Sequence, residues 1–321
     1  MNILITGGAG FVGRHFTEYF LKRGDEVYCV DNLAKLTGAL ALKYWYFDPN
    51  KYKNFHFFQT DCRIFFNSPQ PHFDYVFHLA AMVGGRLMIE NNPIAVGEDL
   101  SIDSEFWQWA VRAKPDKVIT FSSSAAYPIE FQTDHSFRLL EEDDIGFDSR
   151  LGMPDMTYGW AKLTSEYLGR LAYKKYGIKS VAYRPFSGYG EDQDITYPFP
   201  NLMTKLIKSK SSLSIWGSGK QSRDFIHIDD CVRGVVTTMD KINDGDAINL
   251  STGIYTSFLD LVEMAKNIVP HRKKVVVSPQ TGKPEGVFAR AGSTLKQEKL
   301  GFSAEISLEE GIRRYICAKQ S

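Results

Sequence analysis

A tyrosine and a lysine stand four residues apart in this chain, at Tyr158 and Lys162. On a helix, residues at this spacing share one face. A phenol has a pKa of about 10, and a neighbouring cation lowers it, so the pair could move a proton near neutral pH. The same spacing also occurs by chance in surface pairs that contribute roughly a few tenths of a kcal/mol. The elements around the pair therefore decide its meaning.

Three serines, Ser122 to Ser124, end the predicted strand Lys117–Phe121, and the predicted helix Tyr158–Lys175 carries the pair. Strands alternate with helices up to this point, which predicts a parallel sheet with right-handed crossovers. In such a sheet, functional residues gather at the carboxyl ends of the strands. The acidic run at 141–144 in the connecting loop is predicted to be solvated and to cap a helix.

A glycine-rich turn follows the apolar run that starts at Ile3 and precedes a predicted helix from Phe11. Its glycines are Gly7, Gly10 and Gly13. Backbone without a Cβ can approach a pyrophosphate, and helix N-terminal amides attract phosphate. Asp31 ends the predicted strand Glu26–Val30, where a carboxylate accepts hydrogen bonds from a ribose diol and repels a ribose phosphate. Glycine triplets also mark ordinary turns, but this context predicts an NAD site and disfavours NADP.

The predicted fold class is α/β, a Rossmann-like doubly wound parallel sheet with a smaller C-terminal α/β substrate-binding lobe. The predicted NAD-binding domain covers residues 1–183. Residues 184–321 form mainly the substrate lobe, with a return of the chain to the main sheet near 247–250. Further strands are expected at Phe55–Gln59, Tyr75–Ala81 and Arg223–Ile228, and a helix capped by Ser257 at Ser257–Ile268.

Composition excludes several classes of protein. With 321 residues and 43% hydrophobic content the chain can bury a large core, and 38 basic against 38 acidic residues do not indicate nucleic acid or membrane as a partner. Four widely spaced cysteines suggest buried thiols, with no metal site and no disulfide framework. No stretch has the length of a membrane span or the pattern of a signal sequence, so we expect a cytoplasmic enzyme.

Several other residues are candidates for the NAD site. Asp61 could contact the adenine or simply form a turn, and the small residues Ala80 and Ala81 would let backbone lie against a ribose. His78 is expected to be a core histidine bonded to backbone. The full predicted cofactor-binding set is Gly7, Gly10, Phe11, Val12, Gly13, Asp31, Asn32, Asp61, Cys62, Leu79, Ala80, Ala81, Tyr158, Lys162, Arg184 and Pro185.

With the glycine-rich turn, the serines and Tyr-x-x-x-Lys together, the sequence resembles the extended short-chain dehydrogenase/reductase family over nearly its whole length. The resemblance implies that Tyr158 is the base, that Lys162 lowers its pKa and holds the nicotinamide ribose, and that Ser123 bonds the reacting oxygen. Ser123 is chosen because it lies four residues before Tyr127, the aromatic residue of the closing turn. A homodimer is also implied, pairing helix Asp99–Ala113 through Phe106 and Trp109 with helix Tyr158–Lys175.

The stretch 216–230 resembles the nucleotide-sugar signature of the family, in which Arg223 would clamp a diphosphate. The alternative is a surface arginine at a strand end. Residues 80–85, 125–128 and 283–286 are similar to GDP-sugar enzymes such as GDP-fucose synthase and GDP-mannose 3,5-epimerase. The predicted substrate-binding set is Val83, Gly84, Ser124, Ala125, Asn201, Trp216, Arg223 and Arg290.

Departures from these relatives narrow the reaction. Ala125 stands where the epimerising relatives carry a cysteine, Ser124 and Ala125 stand where dehydratases carry Asp-Glu, and Tyr197 lies near the expected second acid/base. We therefore predict an NAD-dependent nucleotide-sugar oxidoreductase acting at C4, a 4-dehydrogenase or 4-epimerase, on a GDP-hexose or GDP-heptose. The alternatives are a UDP- or dTDP-sugar 4-epimerase, or a GDP-sugar dehydratase or 3,5-epimerase with a non-standard acid/base.

Two rival functions come from other classes. One is a silent NAD(H)-holding module, against which the intact Ser123, Tyr158 and Lys162 argue. The other is a dehydrogenase of small lipophilic alcohols, which would have no use for a diphosphate clamp at Arg223.

Overall fold

A computed structural model describes residues 1–35, 37–82, 84, 86–283 and 285–320. Its strands are β1 Asn2–Thr6, β2 Glu26–Asp31, β3 Phe55–Gln59, β4 Tyr75–His78, β5 Lys117–Phe121, β6 Ser180–Pro185, β7 Ser187–Tyr189, β8 Ser212–Trp216, β9 Ser222–Arg223, β10 Phe225–His227, β11 Asp244–Leu250, β12 Thr256–Ser257, β13 Val276–Gln280 and β14 Ala289–Arg290. Its helices are α1 Phe11–Arg23, α2 Cys62–Phe65, α3 Arg86–Asn91, α4 Pro93–Val96, α5 Glu98–Ala113, α6 Met156–Tyr176, α7 Pro198–Lys208, α8 Ile228–Thr238, α9 Phe258–Ile268, α10 Leu295–Lys299 and α11 Leu308–Gln320.

Within the described residues, seven strands form the main sheet in the order β11-β6-β5-β4-β1-β2-β3. Strands β1 to β6 pair in parallel, so their carboxyl ends share one edge. The predicted Rossmann-like α/β fold is confirmed. Strand β4 ends at His78 and not at Ala81, because the chain turns away once Leu79 has donated its amide to the Thr6 carbonyl.

The chain divides into two compact units, and neither is a contiguous stretch. The first contains residues 1–126, 154–184 and 235–248, and the second contains residues 127–153, 185–234 and 249–321. The predicted return of the chain to the main sheet near 247–250 corresponds to strand β11, which adds to the sheet beside β6. The loop 127–153, which lies before the predicted boundary at residue 183, joins the second unit, where the Tyr127 hydroxyl donates to Asn249.

The core of the first unit packs α5 against one face of the sheet. Phe106 is fully buried and Trp109 is 4% exposed, in a cluster with Leu4, Val76 and Val118. The prediction that Phe106 and Trp109 present a dimer surface is therefore wrong. Phe106 and Trp109 are apolar enough for either role, and only the packing decides which face of the helix is inside.

The second unit has its own core, built on helices α7, α9 and α11. Ser257 caps α9 as predicted, accepting the amide of Asp260 at 3.0 Å. The predicted strand Arg223–Ile228 is interrupted at Asp224, whose fully buried carboxylate accepts the amides of Thr252 and Gly253. The acidic run is also less solvated than expected, since the Glu142 carboxylate is buried and accepts the Asn249 amide.

The cysteines Cys29, Cys62 and Cys231 are buried as expected, whereas Cys317 is exposed near the end of α11, so the prediction is wrong for that residue. Within the described ranges, no helix is long and apolar enough to cross a membrane.

Candidate active site

The glycine-rich turn joins β1 to α1 with backbone that other residues would not tolerate. Gly7 has a φ of +70°, and a Cβ there would lie 2.6 Å from the Ala80 amide nitrogen. A Cβ on Gly13 would collide with the Gly7 carbonyl. No described side chain caps α1 at Gly10, so the amides at Phe11, Val12 and Gly13 begin the helix without a side-chain acceptor. The turn thus has the form of a pyrophosphate cradle.

Asp31 lies at the carboxyl end of β2, next to this turn. Its carboxylate is buried and accepts the amide of Ala9 at 3.0 Å and the amide of Leu33 at 2.8 Å. Burial raises the pKa of Asp31, and these hydrogen bonds and the charge of Arg14 oppose that rise. The neighbouring Asn32 is exposed and accepts the Ala34 amide. Asp31 therefore supports the turn as well as offering oxygens to a ligand.

Asp61 lies after β3 and caps α2. It thus takes the turn-forming role that the sequence offered as the alternative to an adenine contact. Its carboxylate accepts the Arg63 amide at 2.9 Å and pairs with the Arg63 guanidinium at 2.6 Å. Hydrogen bonding to Arg63 lowers the pKa of Asp61. Burial raises the pKa of Cys62 to about 12, so this thiol is unreactive. A contact of Asp61 and Cys62 with adenine stays a prediction.

His78 ends β4 and is buried, as expected for a core histidine, but it bonds side chains and not backbone. Its Nδ1 lies 2.7 Å from the Thr6 hydroxyl and its Nε2 lies 3.0 Å from the Asp103 carboxylate. Burial lowers the pKa of His78, which favours the neutral ring. The ring stacks on Phe106 at a centroid distance of 3.8 Å. Leu79, Ala80 and Ala81 follow as half-buried backbone beside the glycine turn.

Tyr158, Lys162 and Ser123 come together in the first unit. Helix α6 approaches the 3-10 turn Ser124–Ala126 closely at Gly159, where a Cβ would collide with the Ala125 carbonyl. The Ser123 side chain acts on the Tyr158 hydroxyl and lowers the pKa of that phenol, and the Ser123 oxygen accepts the Ala125 amide at 3.1 Å. The Lys162 ammonium lies 5.7 Å from the centroid of the Tyr158 ring.

The protonation of this pair is set by burial and by two carboxylates. Burial raises the pKa of Tyr158, while Lys162 and the hydrogen bond from Ser123 act to lower it. Lys162 therefore acts in the predicted direction but does not outweigh burial. Burial alone would lower the pKa of Lys162, yet attraction to Tyr158, Asp99 and Asp103 raises it. Lys162 stays charged although it is only 6% exposed.

Sequence reasoning missed Asp99 and Asp103, which influence Lys162 from helix α5. A signal was present, because two acids four residues apart interrupt an otherwise apolar helical face. Sequence reasoning also did not identify Glu166 as a partner of Arg184. The Arg184 guanidinium is fully buried on β6 and forms two hydrogen bonds with Glu166 of α6, at 2.9 and 2.7 Å. Arg184 and the adjacent Pro185 stay predicted cofactor residues.

Four substrate-binding residues were predicted in the first unit: Ser124 and Ala125 lie in its serine turn, Gly84 lies elsewhere, and Val83 is outside the described residues. Ser124 is 7% and Ala125 is 5% exposed, and the Ala125 carbonyl accepts the Asp155 amide at 2.9 Å. Gly84 is buried, and Val83 lies outside the described residues. Ala125 presents only a methyl group.

The second unit carries the predicted diphosphate clamp. The Arg223 guanidinium donates to the carbonyls of Ser222 at 2.7 Å, Val287 at 3.0 Å and Glu285 at 3.2 Å. Arg290, on the neighbouring strand β14, donates to Gln132 at 2.5 Å. Through these bonds both arginines hold loops of the second unit together, and their role as a diphosphate clamp stays a prediction.

Trp216 and Asn201 complete the predicted set in this unit. Trp216 ends β8, and the ammonium groups of Lys205 and Lys283 each lie 5.9 Å from its ring centroid. The Asn201 amide, in the first turn of α7, donates to the Ile195 carbonyl at 3.1 Å. The half-buried Trp216 ring thus offers a flat apolar surface flanked by cations.

The parallel sheet, the glycine cradle and the Ser-Tyr-Lys group define a dinucleotide-dependent α/β enzyme. The chain belongs to the NAD-dependent epimerase/dehydratase family, whose sequence model matches residues 3–251. The resemblance to the extended short-chain dehydrogenases is thereby confirmed, and the cofactor of the family is NAD.

The alignments with known relatives cover nearly the whole chain. A UDP-glucuronate 4-epimerase from Thermodesulfobacterium geofontis is 28% identical, with 98% of this chain and 94% of the relative covered. A GDP-mannose 3,5-epimerase from Oryza sativa is 26% identical, with 98% and 80% covered. The Bacillus cereus UDP-glucuronic acid 4-epimerase, solved in complex with UDP-glucuronic acid and NAD, superposes with a TM-score of 0.80 at 27% identity, with 100% and 99% covered.

Proposed function

We propose that the chain is an NAD-dependent 4-epimerase of a nucleotide sugar, with UDP-sugars as the first substrate class. The observation that carries the proposal is the buried group of Tyr158, Ser123 and Lys162, in which the Lys162 ammonium lies 5.7 Å from the centroid of the Tyr158 ring. The names of the UDP-sugar 4-epimerase relatives support this substrate class over the GDP-sugars expected from the sequence.

The residues of the site account for proton transfer at a sugar hydroxyl. In its deprotonated form, stabilised by the Lys162 charge, Tyr158 takes the proton from the C4 hydroxyl, and Ser123 bonds the same oxygen. NAD, when bound, accepts a hydride from C4 and returns it. Return to the opposite face of the sugar inverts C4, whereas release of the ketone would make the enzyme a 4-dehydrogenase.

Ala125 argues against the neighbouring reactions. Dehydration and 3,5-epimerisation both remove a proton from carbon beside a ketone, and a methyl group is neither acid nor base. Chemistry restricted to C4 therefore fits the residues best.

A GDP-sugar is the second candidate, and it is favoured by the surroundings of Trp216. Guanine presents two adjacent acceptors, O6 and N7, on one edge. The ammonium groups of Lys205 and Lys283, each 5.9 Å from the centroid of the Trp216 ring, could donate to such an edge. The GDP-mannose 3,5-epimerase relative is consistent with this alternative.

Turnover of named substrates tests the proposal. The purified protein with NAD is incubated separately with UDP-glucuronic acid, UDP-glucose and GDP-mannose, and the products are followed by proton NMR. We expect a C4 epimer from a UDP-sugar, abolished by Tyr158→Phe and retained by Tyr173→Phe, a matched change at an exposed residue of α6. Thermal stabilisation by GDP but not by UDP would contradict the UDP assignment and support the second candidate.

We also propose a homodimer through α5 and α6, using side chains that remain exposed. The proposed interface contains Leu100, Trp160 and Tyr167, which are 43%, 41% and 45% exposed. These side chains take the place of Phe106 and Trp109, which the sequence analysis expected at the interface and which are buried. Light scattering at micromolar concentration should give twice the chain mass of 36.4 kDa. A mass of one chain would refute the dimer. The expected cytoplasmic location stays a prediction.

A further inference from the structure

Asp224 comes directly after β9, and its carboxylate is fully buried in the second unit. Both carboxylate oxygens accept hydrogen bonds from the loop 251–253. Oδ1 accepts the Thr252 amide at 3.0 Å and the Thr252 hydroxyl at 2.6 Å. Oδ2 accepts the Gly253 amide at 2.9 Å and the Ser251 hydroxyl. Since a buried carboxylate is costly unless its oxygens are bonded, these contacts hold the loop and the carboxylate to each other.

The contacts of Asp224 reach both strands that flank β9. Strand β9 lies between β12 and β14, and the loop 251–253 leads into β12. On the other side, the Asp224 backbone amide donates to the Arg290 carbonyl of β14 at 3.0 Å. The Ser251 hydroxyl, which donates to Asp224, accepts the Gly292 amide two residues further on at 3.1 Å. One residue thus ties the three strands together.

Two arginines lie in register on these strands. Arg223 of β9 and Arg290 of β14 are direct partners in the parallel pairing. Partners on neighbouring strands lie on the same face of a sheet, so two positive charges occupy adjacent positions. Like charges at such positions repel each other, and a ligand with two phosphates would relieve the repulsion by binding both guanidinium groups. The register of the two strands therefore determines how well the pair matches a diphosphate.

We propose that Asp224 is a positioning residue, which holds β9 and β14 in the register that presents Arg223 and Arg290 to one diphosphate. The inference rests on the proposed function in taking a nucleoside diphosphate sugar as the ligand. Because its oxygens are occupied by the loop 251–253, Asp224 acts through the backbone of the two arginines and not by contact with the ligand.

The test is calorimetry of UDP and of GDP binding to protein that is saturated with NAD. Asp224→Asn keeps the shape of the side chain, but its amide nitrogen cannot accept the bonds that one carboxylate oxygen accepts now. The nucleotide that binds the natural protein should bind Asp224→Asn about tenfold more weakly, the equivalent of one charge-assisted hydrogen bond to phosphate.

Two further measurements separate positioning from a general loss of structure. The glycine cradle and the Ser-Tyr-Lys group belong to the first unit, so NAD affinity should stay within twofold. In turnover, KM for the nucleotide sugar should rise by the same factor as the nucleotide dissociation constant, with kcat nearly unchanged.

Asp230→Asn is the matched control. Asp230 is 1% exposed on α8 of the same unit, and its carboxylate accepts the amides of Glu305 at 2.9 Å and Ile306 at 2.8 Å. The substitution removes a buried carboxylate that bonds backbone amides away from the two arginines. It should lower stability and leave nucleotide binding as it is.

Unchanged nucleotide affinity in Asp224→Asn, an equal loss in Asp230→Asn, or no binding of either nucleotide to the natural protein would overturn the proposal. Should Asp224→Asn not fold, Ser251→Ala removes a single hydroxyl bond to the carboxylate and must weaken nucleotide binding roughly threefold. Unchanged binding in that variant would overturn the proposal as well. A protein that converts none of the sugars but shows the tenfold loss would refute the proposed function and leave this inference standing.

Discussion

Replacing Asp31 by alanine should separate NAD from NADP recognition, and the structure indicates by how much. A carboxylate has about four lone-pair positions. Two are used by the amides of Ala9 and Leu33, one on each oxygen. The other two match the two hydroxyls of an adenosine ribose. Asp31 can therefore support the turn and bind the ribose at the same time.

The loss follows from counting these bonds. Hydrogen bonds to a charged group contribute about 1.5–3 kcal/mol each, and ribose hydroxyls that regain water recover part of that. A net loss of about 3 kcal/mol corresponds to roughly 100-fold weaker NAD binding. Asp31→Ala also leaves the amide of the fully buried Ala9 without its acceptor, which should cost about 2 kcal/mol of unfolding free energy.

Calorimetry with NAD and NADP, together with urea unfolding, measures both effects. The natural protein should bind NAD far more tightly than NADP, and Asp31→Ala should weaken NAD while leaving NADP unchanged or improved, because a repulsion is removed. Asp48→Ala is a control, since it removes a carboxylate that accepts the Asn50 backbone amide and side chain. An equal loss for NAD and NADP would mean that Asp31 acts through the turn alone, and the reasoning would be refuted.

Four further outcomes are expected. Arg223→Ala should weaken nucleotide-sugar binding by a few kcal/mol at most, measured by calorimetry; unchanged binding would remove Arg223 from the clamp. In D2O with NAD and substrate, the product should carry no enzyme-catalysed deuterium at C3 or C5, because Ala125 offers no base. An enzyme-free control corrects for slow enolisation of a released ketone. Deuterium that enters at the rate of turnover would refute the C4 assignment. Glu166→Gln should cost about 3 kcal/mol in urea unfolding, since it removes the buried carboxylate that pairs with Arg184; an unchanged midpoint would contradict this. Burial raises the folded-state pKa of Asp99 from 3.8 to about 6, so the natural protein loses stability as the pH rises between those values. Asp99→Asn should therefore be more stable than the natural protein by up to about 3 kcal/mol at pH 8 and equally stable at pH 3. Equal stability at pH 8 would contradict this expectation.

Local patterns sufficed for much of this molecule. Strand β5, Lys117–Phe121, has the predicted bounds, and α1 begins at the predicted Phe11, because apolar runs and glycine turns are properties of a few consecutive residues. The spacing of Tyr158 and Lys162 similarly fixes their common helical face. The family and its NAD cofactor could be predicted for the same reason, since the glycine cradle and the Tyr-x-x-x-Lys pattern are short stretches of sequence.

What the sequence could not decide depends on contacts between distant residues. Glu166 pairs with Arg184, and the carboxylates that act on Lys162 are those of Asp99 and Asp103. Phe106 faces the core. An apolar or acidic helix position carries no mark of which neighbour it will meet, and the pKa of Tyr158 depends on its burial and on those neighbours together. Only the packing of α5 against α6 and the sheet sets these quantities, because burial and Coulomb energies depend on distance in space and not on separation along the chain.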